Sequence, residues 1–247
     1  LHPVMVKVYA RVRPALEDET DAPGEALRID GPSIAWAGRR YTFDRVFEPG
    51  EGTDAMFADV FEPMVSRAVD GFESAVFAYG QTGTGKTHTI FGDDERPGIA
   101  RLAARRLFEL IRAKPESTFA LRASLMEILD EKACDLLHGR TPVVFRTASE
   151  ATVAGSTGVA SALGAGGRAL VFHGLRERTI TAFGDVMNTI EEGLSARTVA
   201  ANYRHGASSR SHIVLRLVVE AAHSLGGADA VVTCGAFSLV DLAGSES

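Results

Sequence analysis

The segment that most constrains the fold is glycine-rich and lies between an apolar run and a helical pattern. It reads Gly80-Gln81-Thr82-Gly83-Thr84-Gly85-Lys86-Thr87 and fits the pattern G-x-x-x-x-G-K-[S/T]. The preceding run, Ser74–Tyr79, suits a fully buried strand, and Lys86 begins a helical stretch. In such a loop, glycines let backbone N–H groups turn inward and form a nest for anions. The sequence therefore predicts a phosphate-binding loop between a strand and a helix.

Two side chains of this loop carry further chemistry. Lys86 supplies a mobile point charge for the β and γ phosphates, and Thr87 offers a hydroxyl to Mg²⁺, which prefers oxygen ligands. The alternative is a glycine-rich turn beside a solvated lysine. The strand and helix on either side favour nucleotide binding.

Two later segments narrow the class of nucleotide site. Ser208-Ser209-Arg210-Ser211-His212 lies just before a strand, with Arg197 and Asn202 upstream, and its hydroxyls suit a loop that closes over a γ-phosphate. Asp241-Leu242-Ala243-Gly244 follows a buried strand, as expected for the acidic residue that reaches Mg²⁺. Taken singly, these segments also fit a solvated loop and a simple turn. With the phosphate loop they predict a hydrolytic site, in which Arg210 and Glu246 could pair.

Strands alternate with helices along the chain, which favours one α/β domain over residues 1–247, with a central, mostly parallel or mixed sheet. We predict strands at 4–12, 41–44, 74–79, 119–128, 213–221 and 230–240. Helices are predicted at 53–69, from 86 onward, at 99–111 and at 185–195, with Pro63 interrupting the first. The tract 147–168 is rich in Ala, Gly, Ser, Thr and Val, and is predicted to be a flexible surface insertion.

Composition excludes several classes of protein. The net charge of −6 argues against wholesale nucleic-acid binding. No apolar run reaches the ~18 residues of a membrane span, and the first residues do not form a secretory signal. Cys134 and Cys234 lie far apart in apolar surroundings, so we expect two buried thiols in a reducing cytosol; a disulfide or a metal pair is the alternative.

At this point the chain resembles the kinesin motor domain, through motifs that follow one another in the family's order. They are Val8–Pro14, Tyr41–Phe47, Gly71–Thr87, Ser124–Leu137 (similar to S-Y-x-E-I-Y-N-E-x-x-x-D-L-L), Ser208–His212 (switch I) and Asp241–Glu246 (switch II, D-L-A-G-S-E). The resemblance implies a P-loop NTPase of kinesin type, with helices on both faces of its sheet. It also implies a microtubule-based motor that binds Mg·ATP and hydrolyses it by in-line attack of water on the γ-phosphate.

The family's roles carry over position by position. By resemblance, Arg11 and Pro14 flank the adenine, and His88 lies near the base. Ser208 faces the γ-phosphate and the attacking water. Ser209 joins Thr87 on Mg²⁺, and Asp241 reaches the ion through water. The Gly244 amide senses the γ-phosphate, while Arg210 and Glu246 form the switch salt bridge.

Three departures from the family pattern qualify the resemblance. His205 occupies the usual switch I asparagine position. The tract 147–168 replaces a compact loop that helps kinesins to touch tubulin and carries little positive charge. The family's main microtubule-binding segments, last strand and helix, and neck linker lie beyond switch II, so we expect a fold that is incomplete at its C-terminus. On that expectation, apolar surface around Phe237–Val240 would be exposed.

The leading hypothesis is an ATP-driven motor of the cytoplasm and its microtubule cytoskeleton. Its partner is tubulin, mainly through segments outside these residues; dimerisation would use a stalk, and no nucleic acid or membrane is expected. A different class, a non-motile module that binds nucleotide or microtubules without productive hydrolysis, is motivated by His205, the altered loop and the missing segments. A generic P-loop kinase would require an acceptor site and a lid, neither of which the sequence shows.

Overall fold

A computed structural model describes residues 6–15, 27–93, 95–147, 159–161, 170–203, 210–224 and 230–246. They fall into two compact units, Leu1–Met56 and Phe57–Ser247.

The first unit contains two small sheets and a short helix. Its elements are β1 (Tyr9–Arg11), β2 (Arg28–Asp30), β3 (Ser33–Trp36), β4 (Arg39–Thr42), β5 (Arg45–Phe47) and α1 (Thr53–Met56). Strands β1 and β5 pair in parallel, and β2, β3 and β4 form an antiparallel sheet. Strand β1 is shorter than the predicted strand at 4–12. One reason is that the Val8 N–H donates to the Asp44 carboxylate at 2.7 Å instead of to a strand.

In the part of the chain that the structure describes, the second unit is built on a nine-stranded mixed sheet. Its strands are β6 (Glu73–Ala78), β7 (Ser117–Leu129), β8 (Lys132–Asp135), β9 (Thr141–Thr147), β10 (Val159–Ser161), β11 (Leu170–His173), β12 (Arg178–Ile180), β13 (His212–Ser224) and β14 (Ala230–Asp241). Their order is β10-β11-β9-β8-β7-β13-β14-β6, and β12 also pairs with β7. Among the described strands of this sheet, β6 and β14 form the parallel pair and the other pairs are antiparallel. The sheet is mixed, as predicted. Most of its described strand pairs are antiparallel because short connections join several neighbouring strands.

The longest helices pack on one face of this sheet. The helices of the unit are α2 (Glu62–Val69), α3 (Lys86–Ile90), α4 (Ile99–Arg112) and α5 (Phe183–Tyr203). Gly235 of β14 lies against the backbone of Ala68 in α2, and Gly193 of α5 lies against Leu125 of β7. The strand register places Gly235 and Leu125 on the same face, and α4 packs on both α2 and α5. One buried core lies between these helices and the sheet. A smaller buried cluster, formed by Met126, Ala133, Val143 and Leu175, packs at the opposite face.

Strand β14 contributes directly to that core. Phe237 and Leu239 are fully buried, and Val240 is buried as well. The expectation of exposed apolar surface around Phe237–Val240 is therefore wrong, since β13 and β6 flank this strand and helices cover one of its faces.

The opposite face carries ionic side chains. Arg216 contacts Glu73 at 2.6 Å, and Arg122 contacts both Glu177 (2.6 Å) and Glu220 (2.5 Å). The register assigns Arg216, Glu73, Arg122 and Glu220 to the face away from α2 and α5. Within the described residues, these charges stand where a second helical layer was predicted.

The two cysteines have different environments. Cys134 is half-buried, whereas Cys234 is exposed on the ionic face, opposite Glu220. The prediction of a buried thiol is therefore wrong for Cys234. Both thiols are free, which excludes the alternative of a disulfide.

A π-helical segment, Phe57–Phe61, precedes α2 and interrupts the helix predicted at 53–69. Pro63 lies in the first turn of α2, where its missing N–H leaves no intrahelical bond unmade. The predicted interruption is present, and it takes the form of one wide turn before the proline.

Strand β6 is less buried than its apolar sequence predicts. Phe77 is 63% exposed and Tyr79 is 78% exposed. In the described part of the sheet, β6 pairs with β14 alone, so one of its edges lacks a strand neighbour. The prediction of a fully buried strand at 74–79 is wrong for this reason.

The predicted insertion at 147–168 begins at the end of β9 and contains β10, which pairs with β11. Its other residues, 148–158 and 162–168, lie outside the described residues.

The close packing of α5 on β7 gives a stability prediction. A Cβ added at Gly193 would lie 2.0 Å from Cδ2 of Leu125, which is fully buried. Overpacking of this kind costs about 1–3 kcal/mol, more than the ~1 kcal/mol by which alanine exceeds glycine in helix propensity. We expect Gly193→Ala to lower the free energy of unfolding in a urea titration.

The matched control is Gly184→Ala in the same helix, where an added Cβ meets nothing within 4 Å. We expect this change to leave stability unchanged or to raise it by a few tenths of a kcal/mol. Equal effects of the two substitutions would contradict the packing described for α5.

Candidate functional site

The parallel pairing of β6 with β14 brings the phosphate loop beside the second switch segment. Asp241, the last residue of β14, is in register with Ala78, the last residue of β6. The backbone continues this contact beyond the strands, because the Leu242 N–H donates to the Ala78 carbonyl (3.3 Å) and the Ser245 N–H to the Gly80 carbonyl (3.1 Å). Two segments separated by more than 150 residues in sequence thus share one edge of the sheet.

The phosphate loop has the backbone that its glycines predict. Gly83 and Gly85 have φ values of 83° and 93°, a region that residues with a Cβ rarely adopt. Gly85 is the N-cap of α3, and the space beside both glycines is open. Lys86 donates from Nζ to the Gln81 carbonyl at 2.8 Å, so its ammonium lies over the loop. The loop can present N–H groups and one positive charge to an anion.

The residues predicted to hold Mg²⁺ include one pair in direct contact. The Thr87 hydroxyl donates to Oδ2 of Asp241 at 2.5 Å. Asp241 is 1% exposed, and its second oxygen, Oδ1, is buried without a hydrogen-bond partner among the described residues. Mg²⁺ prefers oxygen ligands. A buried carboxylate oxygen without a hydrogen-bond partner, together with a neighbouring hydroxyl, supplies such ligands. These residues therefore fit the predicted ion.

Arg197 of α5 reaches the same carboxylate from the other side. Its Nη1 lies 3.8 Å from Oδ2 of Asp241, and its Nε lies 3.8 Å from Oε1 of Glu127 on β7. It also donates to the hydroxyl and the carbonyl of Ser211, both at 3.3 Å. Burial lowers the pKa of the Arg197 guanidinium from its ordinary value, and the two carboxylates oppose that shift. Arg197 thus links α5, β7 and the residue before β13 to Asp241.

Glu246 binds the phosphate loop. Its Oε2 accepts a hydrogen bond from the Thr82 N–H at 2.9 Å, and its Oε1 accepts one from the Thr82 hydroxyl. The Thr82 hydroxyl, followed by backbone hydrogen bonds, holds the pKa of Glu246 below its ordinary value, so the carboxylate is charged at neutral pH. The Glu246 carboxylate therefore takes up the Thr82 N–H, a group that the phosphate loop is predicted to offer to a phosphate.

Gly244 makes this contact possible. It is buried, and an added Cβ would lie 2.2 Å from Oε1 of Glu246 and 2.4 Å from the Thr82 hydroxyl. Arg210 is exposed, and the described contacts include no ion pair between Arg210 and Glu246. In this conformation Glu246 is held by Thr82, and the switch salt bridge with Arg210 stays a prediction.

The remaining predicted residues are placed as follows. His88 has its Nε2 3.3 Å from Oδ2 of Asp93, in the loop after α3. Arg11 and Pro14 belong to the first unit, at and just after the end of β1. Ser208, Ser209 and His205 lie outside the described residues.

Sequence reasoning missed three contacts of this site. It gave no role to Glu127 or Ser211, and it did not foresee that His212 accepts a hydrogen bond from the Ala243 N–H at 2.9 Å. A signal for His212 was present, since the residue opens β13 at the edge where Asp241 ends β14. Glu127 stands at the glutamate of the family motif S-Y-x-E-I-Y, but the motif does not indicate its contact with Arg197, which depends on how α5 crosses β7.

No helix in the described part of the chain is both long and apolar enough to cross a membrane.

Comparison with known proteins gives a consistent result. The family profile of the kinesin motor domain matches residues 16–247. Kinesin-like protein Klp61F of Drosophila melanogaster is 31% identical over 98% of this chain and 23% of its own length. KIN-14R of Arabidopsis thaliana is 33% identical, again over 98% of this chain and 22% of its own length. Kinesin-like protein klp-3 of Caenorhabditis elegans is 32% identical over 98% of this chain and 39% of its own length.

A solved structure of a fast kinesin agrees with the fold. It superimposes with a TM-score of 0.84 at 29% identity, over 98% of this chain and 66% of that structure. The chain spans less than half the length of the three relatives named above. The matching profile, the relatives and the structure all agree with the phosphate loop and switch segments described here, and the chain belongs to the kinesin motor domain family.

Proposed function

We propose that this protein is the nucleotide-binding part of a microtubule-based motor ATPase. The observation that carries the proposal is the convergence of Lys86, Thr87, Asp241 and Glu246 at one edge of the sheet, in a chain of the kinesin motor family. ATP is the proposed substrate.

Substrate binding uses the loop and its positive charge. Backbone N–H groups of Gly80–Thr87 receive the phosphate oxygens, and Lys86 leaves the Gln81 carbonyl for the β and γ phosphates. Family resemblance adds Arg11, Pro14 and His88 around the adenine.

Thr87, Asp241 and, by resemblance, Ser209 would hold Mg²⁺. When bound, the ion neutralises charge on the β and γ phosphates. The chain's own part is to orient Asp241, through the hydrogen bond from the Thr87 hydroxyl.

Hydrolysis is proposed as in-line attack of water on the γ-phosphate, with positioning and charge neutralisation as the main sources of catalysis. Ser208 orients the water, and the Gly244 N–H contacts the γ-phosphate. Glu246 leaves Thr82 when phosphate takes its place and then pairs with Arg210, closing the site. This exchange of partners is the proposed step that couples nucleotide binding to the switch segments.

The proposed partner is the microtubule, and the proposed location is the cytoskeleton of the cytoplasm. The support is family membership, together with a solved fast kinesin whose description concerns its ATPase mechanism and its interactions with microtubules. Co-sedimentation with microtubules and phosphate release, measured with and without them, test the proposal. Nucleotide binding without phosphate release would favour the non-motile alternative.

Substitution of Lys86 tests the role of its positive charge in catalysis. We expect Lys86→Ala to lower phosphate release by about a hundredfold or more, because loss of one preorganised group on the transferring phosphate costs that order. The measurement is phosphate release at saturating MgATP. Lys114→Ala is the control, since Lys114 pairs with Asp70 instead; similar losses in both variants would contradict the role of Lys86.

Substitution of Glu246 tests the proposed exchange of its partners. We expect Glu246→Ala to abolish turnover while leaving affinity for a fluorescent ATP analogue unchanged or higher, because the Thr82 N–H no longer has a competing carboxylate. Equilibrium titration and phosphate release on the same sample separate the two effects. Glu116→Ala, at an exposed position before β7, serves as the control. A weaker affinity with normal turnover would rule out the proposed exchange of partners.

A further inference from the structure

A chain of ion pairs extends from Asp241, through the buried side chains of Arg197 and Glu127, to half-buried Arg140 in the loop after β8. Arg197 lies between Asp241 and Glu127, and the far oxygen of Glu127, Oε2, is hydrogen-bonded to Nη2 of Arg140. The Glu127 side chain is 4% exposed, and a carboxylate at that depth needs opposite charges beside it, which Arg197 and Arg140 provide. The charges of Asp241, Arg197, Glu127 and Arg140 alternate in sign. They run from the predicted metal ligand at the end of β14 to the loop between β8 and β9.

The loop that carries Arg140 is held in place by a buried aspartate. Asp135 is fully buried; its oxygens accept from the Leu137 N–H (2.8 Å) and the Arg176 N–H (2.9 Å) and contact His138 Nδ1 (2.9 Å). The loop therefore has a defined conformation at the point where Arg140 leaves it.

The backbone of Arg140 adds a second observation. Its φ is 59°, a left-handed conformation that is unfavourable for a residue with a Cβ and that persists where the surroundings enforce it. Its other terminal nitrogen, Nη1, is buried and has no hydrogen-bond partner among the described residues. Among the contacts of the described residues, Glu127 is the partner of the Arg140 guanidinium.

We propose that Arg140 is a positioning residue for the Mg²⁺ site: by holding Glu127, it leaves Arg197 available to Asp241. This inference rests on the proposed function. Without Arg140, the buried charge of Glu127 draws Arg197 toward itself and away from Asp241. The negative charge of Asp241 is then less compensated by Arg197. The positive charge of Arg140 itself is also absent from the surroundings of the site. Both effects act in the same direction, and both strengthen the attraction for a divalent cation.

The test is the Mg²⁺ concentration that half-saturates binding of the fluorescent nucleotide mant-ADP. We expect Arg140→Gln to lower that concentration about threefold, the order of the Coulomb interaction between one charge and a divalent ion across the cluster in a solvent-like dielectric. Glu127→Gln should raise it, and the double variant should lie near the wild type. A structural role alone predicts weaker Mg²⁺ binding in all three variants, and that pattern overturns the inference.

Two further variants complete the design. Arg140→Lys keeps the charge and should shift the Mg²⁺ dependence less than half as far as Arg140→Gln, which also covers the case in which Arg140→Gln does not fold. Arg178→Gln removes an arginine of similar exposure that pairs with Glu192, and it should leave the Mg²⁺ dependence unchanged. An equal shift in Arg178→Gln overturns the inference. If the wild type binds mant-ADP with no Mg²⁺ dependence, the proposed function fails and this inference fails with it.

Discussion

The parallel pairing of β6 and β14 is the constraint on which the rest of the site depends. Parallel strands end at the same edge of a sheet, so a register that matches Ala78 with Asp241 places the phosphate loop beside the switch segment. A slip by one residue would turn Asp241 to the other face of β14. The buried side chains of β14, Phe237 and Leu239, oppose such a slip because they would leave the core. The packing of β14 in the core therefore fixes where Asp241 lies relative to the phosphate loop.

Around Asp241, the site balances buried charge by alternation. Asp241 receives a hydroxyl from Thr87 and faces Arg197, which in turn faces Glu127. Isolated charges at this depth would be costly, and each is tolerated because an opposite charge lies beside it. The same arrangement lets a change at one residue alter the field at another without large movements of the backbone. Electrostatic linkage of this kind suits a site whose ligand carries several charges.

Local patterns in the sequence were sufficient for the phosphate loop, for the strand and the helix that flank it and for the helix predicted at 99–111, which the structure places at Ile99–Arg112. At Gly83 and Gly85, for example, the glycine itself indicates the positive φ that the structure shows. What sequence could not provide depends on contacts between distant segments. The hold of Thr82 on Glu246, the exposure of Phe77 and the position of Cys234 all follow from which strands are neighbours. The wrong expectation for Phe237–Val240 has the same origin, since burial was judged without knowing which elements cover β14.

The π-helical turn at Phe57–Phe61 has a consequence for how this region tolerates change in length. A π-turn holds one residue more than an α-turn, so removing one residue there would restore ordinary α-helical winding. The buried apolar face that begins at Val65 would keep its orientation toward the core. The same deletion inside α4 would rotate every later side chain by about 100° and turn its buried face toward water. Insertions and deletions in relatives are therefore expected to collect at this wide turn and to avoid α4.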